Sequence, residues 1–188
     1  ISPPKINFYV LWLMCILTSS VISQDQQLAN WPQWRGPHST GAADGKPPIE
    51  WSETKNVRWK LALPGKGHST PVVWKNHIFI TAALDIGAAM PPRRSGRPGA
   101  HDNLAVTHKQ RYIAMAIDRK KGTVLWNTTV NEKVPVEGGH DSASLASHSP
   151  VTDGKYLYAF FGSAGLYCLD FHGKIIWRKN FGQMHSKH

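Results

Sequence analysis

The chain is short of several things that would point to common classes of function. Only 2 of its 188 residues are cysteine, so it carries neither a disulfide framework nor a cysteine-based zinc site. Charged residues amount to 18%, and the acidic sign is the scarcer, with 12 Asp+Glu against 22 Lys+Arg. Sparse carboxylates matter, because a calcium site needs several oxygen ligands converging on one point. No apolar run reaches the ~20 residues that a membrane-spanning helix requires. No Ala/Glu/Lys/Leu-rich stretch keeps heptad spacing, which argues against a coiled coil or helical bundle. What is present is a chain that is 41% hydrophobic, with 8 Trp, 16 Gly and 13 Pro. That composition excludes disorder, and the length suits one ordinary domain with a sizeable core.

The N-terminus reads as an address. Lys5 precedes an apolar run over residues 8–22, and Val21 and Ser23 are followed by polar Gln24, Asp25, Gln26 and Gln27. A cation, an apolar stretch and small residues before a polar start predict a secretory signal over residues 1–23, cleaved near Ser23/Gln24. The mature protein is then periplasmic or secreted, with no transmembrane span. Cys15 raises a lipid anchor, but Met14 stands before it where a small residue is needed, and the apolar run continues past it. The mature chain keeps one cysteine, Cys168. Because the chain opens on Ile1 and stops at His188, it is expected to be the N-terminal piece of a longer protein.

One unit occurs twice. Ala116 and Asp118 precede a turn closed by Gly122, and Trp126 follows; Cys168 and Asp170 precede a turn closed by Gly173, and Trp177 follows. Upstream, Ser69, Thr70, Pro71 and Val72 match His148, Ser149, Pro150 and Val151. Each copy divides into short runs rich in Val, Ile, Tyr, Phe and Trp, separated by Gly, Asp and Asn, as half-buried strands with tight turns require. The expected strands are 69–74, 77–82, 112–118 and 124–129 in the first copy. In the second they are 147–152, 156–161, 166–170 and 174–179. A repeated unit of four antiparallel strands predicts an all-β fold built of β-propeller blades. Asp118 and Asp170 would cap their turns through backbone N–H groups, while Gly122 and Gly173 take positive φ. Trp126 and Trp177 would be apolar wedges between blades. Trp59, in a stretch with no Asp–Gly turn before it, reads as part of a ring-closing strand at 56–62.

The organisation that follows is a lead segment at 24–54 and a partial propeller at 55–188. The propeller part holds the closing strand, a blade at 67–130 with an insertion at 85–110, a blade at 145–182, and the start of another at 183–188. About two blades cannot close a ring, since propellers have ~4–8.

The Ala-x-Asp-x-x-x-Gly-x-x-x-Trp pattern resembles the repeat of pyrroloquinoline-quinone (PQQ)-type β-propellers, with Lys121 where that repeat usually has Thr. The opening from Asn30 to Pro37, the stretch 57–60 and the turn at 150–154 are similar to a PQQ-binding-like propeller family of planctomycetes and related bacteria, often described as BamB-like. The resemblance implies an exported propeller and says little about chemistry, because this fold hosts both dehydrogenases and scaffolds.

A PQQ-dependent alcohol or sugar dehydrogenase would need a calcium ion held by carboxylate and amide oxygens, and a vicinal cysteine pair beside the cofactor. Neither is legible here, so no cofactor is expected in this stretch, and PQQ with calcium remains the alternative reading. Cys168 replaces Ala116 of the other copy and reads as a packed strand residue. His68, His140 and His148 lie in Gly/Ser-rich connections at strand ends, which makes them candidates for a loop-face binding site; His185 and His188 lie nearby. The basic cluster at Arg93, Arg94 and Arg97 sits in the insertion and would attract an anionic partner such as an acidic glycan or lipid headgroups. Nucleic acid is a poor fit, for want of an aromatic stacking platform. The expected function is an exported, non-catalytic propeller that binds a protein or polymer partner in the cell envelope. The competing one is a PQQ-dependent dehydrogenase whose cofactor ligands lie elsewhere.

Overall fold

The structure is a computed structural model that describes residues 30–43, 45–94 and 104–185. The signal-peptide reading at 1–23, Cys15, Arg97 and His188 lie outside the described residues. Alternation of apolar and small or polar residues produces eight strands: β1 (Val72–Trp74), β2 (His77–Ile86), β3 (Lys109–Asp118), β4 (Val124–Lys133), β5 (Val151–Thr152), β6 (Tyr156–Phe160), β7 (Leu166–Asp170) and β8 (Ile175–Lys179). They form two antiparallel four-stranded sheets in the orders β1-β2-β3-β4 and β5-β6-β7-β8. The fold is all-β, and each sheet is one blade.

The boundaries depart from expectation for identifiable reasons. The first strand of each copy is short, because Pro71 and Pro150 stand at its entrance and a proline has no N–H to give a ladder. β2 and β3 run further than the sequence implied, pairing from His77↔Asp118 out to Ile86↔Lys109, so the insertion shrinks to residues 87–108. Residues 56–62 carry no sheet assignment. The closing strand expected there is a chain without strand pairing among the described residues.

β3 is buried on both faces, and its alternation explains how the blades assemble. Tyr112, Ala114 and Ala116 face the second sheet, packing in one cluster with Phe79, Val72, Leu157, Ala159, Tyr167 and Leu169. Ile113, Met115 and Ile117 face the other way, where Trp59 and Leu61 of the N-terminal segment cover them. Alanines at 83, 114, 116 and 159 keep the inter-sheet layer thin enough for large aromatics to fill it.

β4 fastens the two blades. Trp126 Nε1 donates to Phe171 O at 2.8 Å and Thr128 Oγ1 to Gly173 O at 2.7 Å. Further along, Asn131 Nδ2 donates to Ala164 O at 2.8 Å and Lys133 Nζ to Ser163 O at 2.9 Å. A strict period of two would not put residues 126, 128, 131 and 133 on one face. The register shifts between Tyr112↔Asn131 and Ile113↔Thr129, so Val130 is an extra residue whose bulge reverses the parity beyond it.

Tryptophan on glycine is the recurrent contact. Trp126 lies over Gly173, Trp59 over Gly122, and Trp74 over Gly154, so closely that a Cβ on any of these glycines would overlap an indole ring. Trp59 Nε1 also donates to Arg119 O at 3.1 Å, as Trp126 does to Phe171 O. Trp177, at the corresponding place in the second blade, is 43% exposed.

Two glycines separate the steric part of this contact from backbone strain. Gly173 (φ +83°) and Gly182 (φ +80°) share a left-handed backbone. A Cβ on Gly173 would sit 2.7 Å from Trp126 Cδ2, whereas one on Gly182 meets nothing within 4 Å. Gly182→Ala should cost about 1–2 kcal/mol, and Gly173→Ala roughly 1–3 kcal/mol more, as overpacking does. Trp126→Ala should cost about 3–5 kcal/mol. Denaturant unfolding of the three variants checks the ranking; equal costs for the two glycines would remove the docking contact from the account.

Candidate loop-face binding site

The two ends of the sheets are built differently. At one end every connection is tight: residues 75–76, 119–123, 153–155 and 171–174. There Asp118 Oδ1 accepts from the N–H groups of Lys120 and Lys121, both at 2.8 Å, and its Oδ2 accepts from Asn76 Nδ2 at 2.8 Å. Asp170 Oδ1 accepts from His172 and Lys174 N–H, both at 2.9 Å. Gly122 and Gly173 take φ of +69° and +83°. The backbone N–H of Lys121 does most to hold the Asp118 carboxyl below its ordinary pKa, and that of Lys174 does the same for Asp170. Asp153 is also lowered: desolvation, the largest influence, pushes its pKa up, but bonds from Tyr156 N, Lys155 N and Tyr158 Oη together outweigh it.

The other end carries the long connections, residues 87–108, 134–150 and 180–185, and these do not repeat. The second and third of these, with residues 160–164, enclose a cavity of about 660 Å³ between the blades, within the usual range for small-molecule sites. Its walls are apolar where Tyr112, Leu145, Phe160, Phe161 and Met184 contribute. Tyr112 and Phe161 meet edge to face at 5.4 Å, and burial pushes the Tyr112 hydroxyl up to about 12. The polar lining comes from Ser142, Ser144, Ser147, His140 and His148, with Lys133 and Glu137 adding one charge of each sign.

Each polar group is positioned by its neighbours. Ser147 Oγ donates to Ser144 O at 2.7 Å and accepts from Ser144 N at 3.0 Å, closing a compact turn. His140 Nδ1 lies 2.7 Å from Ser142 Oγ and 2.9 Å from Asp141 Oδ1. His148 stands edge to face with Phe160 at 4.8 Å, and desolvation lowers its pKa below the usual 6.5. At one end Glu137 Oε2 meets His185 Nδ1 at 3.2 Å, and Ser163 Oγ both donates to Met184 O and accepts from Met184 N at 2.8 Å. The segment after β8 is thereby strapped across the cavity wall.

His140 and His148 of the predicted loop-face set line this cavity, and His185 joins them. His68 is exposed outside it, its N–H donating to Ala146 O at 3.3 Å. Arg93, read from sequence as part of a basic loop hanging from the first blade, is instead a clamp. Its Nη1 donates to Val136 O at 2.8 Å and its Nη2 to Pro135 O at 2.5 Å. With the backbone bond from Leu104 N to Gly139 O at 3.0 Å, it holds the insertion against the link that lines the cavity. Glu137, Phe160 and Ser163 escaped sequence reasoning, since nothing local marks them.

Among the described residues no group of three His, Cys, Asp or Glu side chains converges to hold a metal ion. Asp118, Asp153 and Asp170 are spent on turns. Cys168 is buried in β7 with its thiol pKa raised by desolvation, which keeps it protonated rather than nucleophilic. No helix among the described residues is long and apolar enough to cross a membrane.

Residues 109–187 match the family model described as outer membrane protein assembly factor BamB, a PQQ-type repeat. The match covers β3 through β8, and the chain there carries the PQQ-like β-propeller repeat. No curated protein matches the chain.

The turn carboxylates set an acid limit. Asp118, Asp153 and Asp170 have folded pKa values below their unfolded ones, so the stability they contribute is whole above the unfolded value, ~4. It is lost as pH falls through the folded values. The melting temperature should therefore hold from neutrality down to about pH 5 on their account and fall steeply below about pH 4. Asp118→Asn should melt lower than wild type at pH 7, with the gap closing toward pH 3; a constant gap would contradict the charge-assisted turn.

Proposed function

We propose that this chain is part of an exported, non-catalytic β-propeller that binds a protein or an anionic polymer of the cell envelope through its loop face. The observation that supports this most is the asymmetry of the two sheet ends. Repeated Asp–Gly turns occupy one end, and non-repeating connections, fixed by Arg93 and the Ser163–Met184 bonds, occupy the other. Rigid sheets presenting variable loops are how scaffolds carry recognition. The family description, an outer membrane assembly factor, favours a protein partner in the envelope. The formal charge of +10 favours an acidic one.

A PQQ-dependent dehydrogenase is the competing reading. It would need an oxygen-ligand cluster and a cysteine pair that the described residues do not supply.

Crosslinking distinguishes the faces. A photoreactive amino acid at Asp141 or Ser142, on the loop face, should give adducts with an envelope component in intact cells. The same group at Lys120 or His172, on the turn face, should give none. Adducts from the turn face alone, or dye reduction by the protein once supplied with the quinone and calcium, would overturn the proposal.

A further inference from the structure

We propose that the loop-face cavity seats a neutral saccharide unit, with His148 as its hydrogen-bonding anchor and Phe160 as the wall its C–H face lies against. The inference rests on the loop face being the binding face, and it adds what the cavity within that face takes, an uncharged sugar unit, while the surrounding face meets the protein or anionic polymer.

Two of the polar groups still free to bond, His148 and the Ser144 hydroxyl, act as donor and acceptor together. The ring nitrogens of His148 have no hydrogen-bond partner among the described residues, and the ring's one recorded contact is with Phe160. Desolvation keeps that imidazole neutral near pH 7, so one nitrogen donates and the other accepts. The Ser144 hydroxyl accepts from Ala146 N at 3.2 Å and retains its own proton to donate. His140 spends Nδ1 on Asp141 and Ser142 and keeps Nε2. Sugar hydroxyls, each donor and acceptor, match this set.

Charged ligands find little to hold them there. The two ionised lining groups are of opposite sign, Lys133 bonded to Ser163 O and Glu137 beside His185, so the wall carries no net charge to select an ion. An extended peptide would need β4 as its edge, and the cavity meets that strand only at its last residue, Lys133. The half-exposed ring of Phe160, with His148 at 67° to it, makes an aromatic corner. An aromatic ring's negative face attracts the weakly positive C–H hydrogens of a sugar. The volume, about 660 Å³, leaves room for more than one ring.

The test titrates the purified protein with maltose, cellobiose and N,N′-diacetylchitobiose, following binding by calorimetry and the His148 ring nitrogens by NMR. At least one disaccharide should saturate and shift the His148 signals. His148→Ala and Phe160→Leu should each weaken it about tenfold, the effect of losing a well-placed contact. His148→Gln, which keeps a donor and an acceptor, should recover part of the loss, and Lys120→Ala on the turn face should change nothing. Silent His148 signals with all three sugars, or full affinity in a folded His148→Ala, would overturn the inference. So would an acidic disaccharide binding better than its neutral counterpart. If sugars fail while loop-face crosslinks persist, the saccharide site falls and the binding face stands.

Discussion

An indole ring laid on a glycine is the contact on which the rest of this structure depends. It fixes Trp126 over Gly173 and Trp59 over Gly122, and in each case the indole N–H also donates to a carbonyl of the same turn. The turn must therefore have one shape, a left-handed glycine with its Cα bare, and the aspartate that begins it supplies that shape. Asp118 and Asp170 each gather two backbone N–H groups on one oxygen. Dispersion, a hydrogen bond and a charged cap thus act at one place. Placing that place at the end of β4 sets the angle between blades, and the cavity at the far end is what the angle leaves open.

Much of this was legible in the sequence. The Asp–Gly–Trp spacing identified both copies, and the strand-rich composition between them located all eight strands. Other features have no local signature. The bulge at Val130 leaves the apolar pattern of β4 intact while reversing which residues face the second blade, so Asn131 and Lys133 could not be placed beforehand. Arg93 read as part of a basic patch for an anionic partner because its own partners are carbonyls of residues 135 and 136, distant in sequence and chemically anonymous. The segment 56–62, expected to close the ring, has no ladder among the described residues for a related reason. Trp59 and Leu61 are positioned by burial against β3 rather than by a ladder, and a sequence pattern does not separate the two.

The candidate site was half legible. Histidines in Gly/Ser-rich links pointed to the loop end, and His140 and His148 both line the cavity, whereas His68 sits outside it. The apolar walls of the cavity include Tyr112, Phe160 and Phe161, which any strand reading assigns to core. The two blades divide between an end of repeated Asp–Gly turns and an end of connections that do not repeat. That division lets one repeat serve many partners, and it is why the repeat alone names a fold before it names a ligand.

The docking contact is most directly tested by hydrogen exchange of the indole Nε1 protons. Trp51, 78% exposed, serves as the unprotected reference. The account predicts that the Trp126 proton exchanges far more slowly than that of Trp51, and that its protection is lost in Gly173→Ala. A Trp126 indole proton exchanging as fast as that of Trp51 would contradict the account, and with it the placement of the second blade and of the cavity between the two.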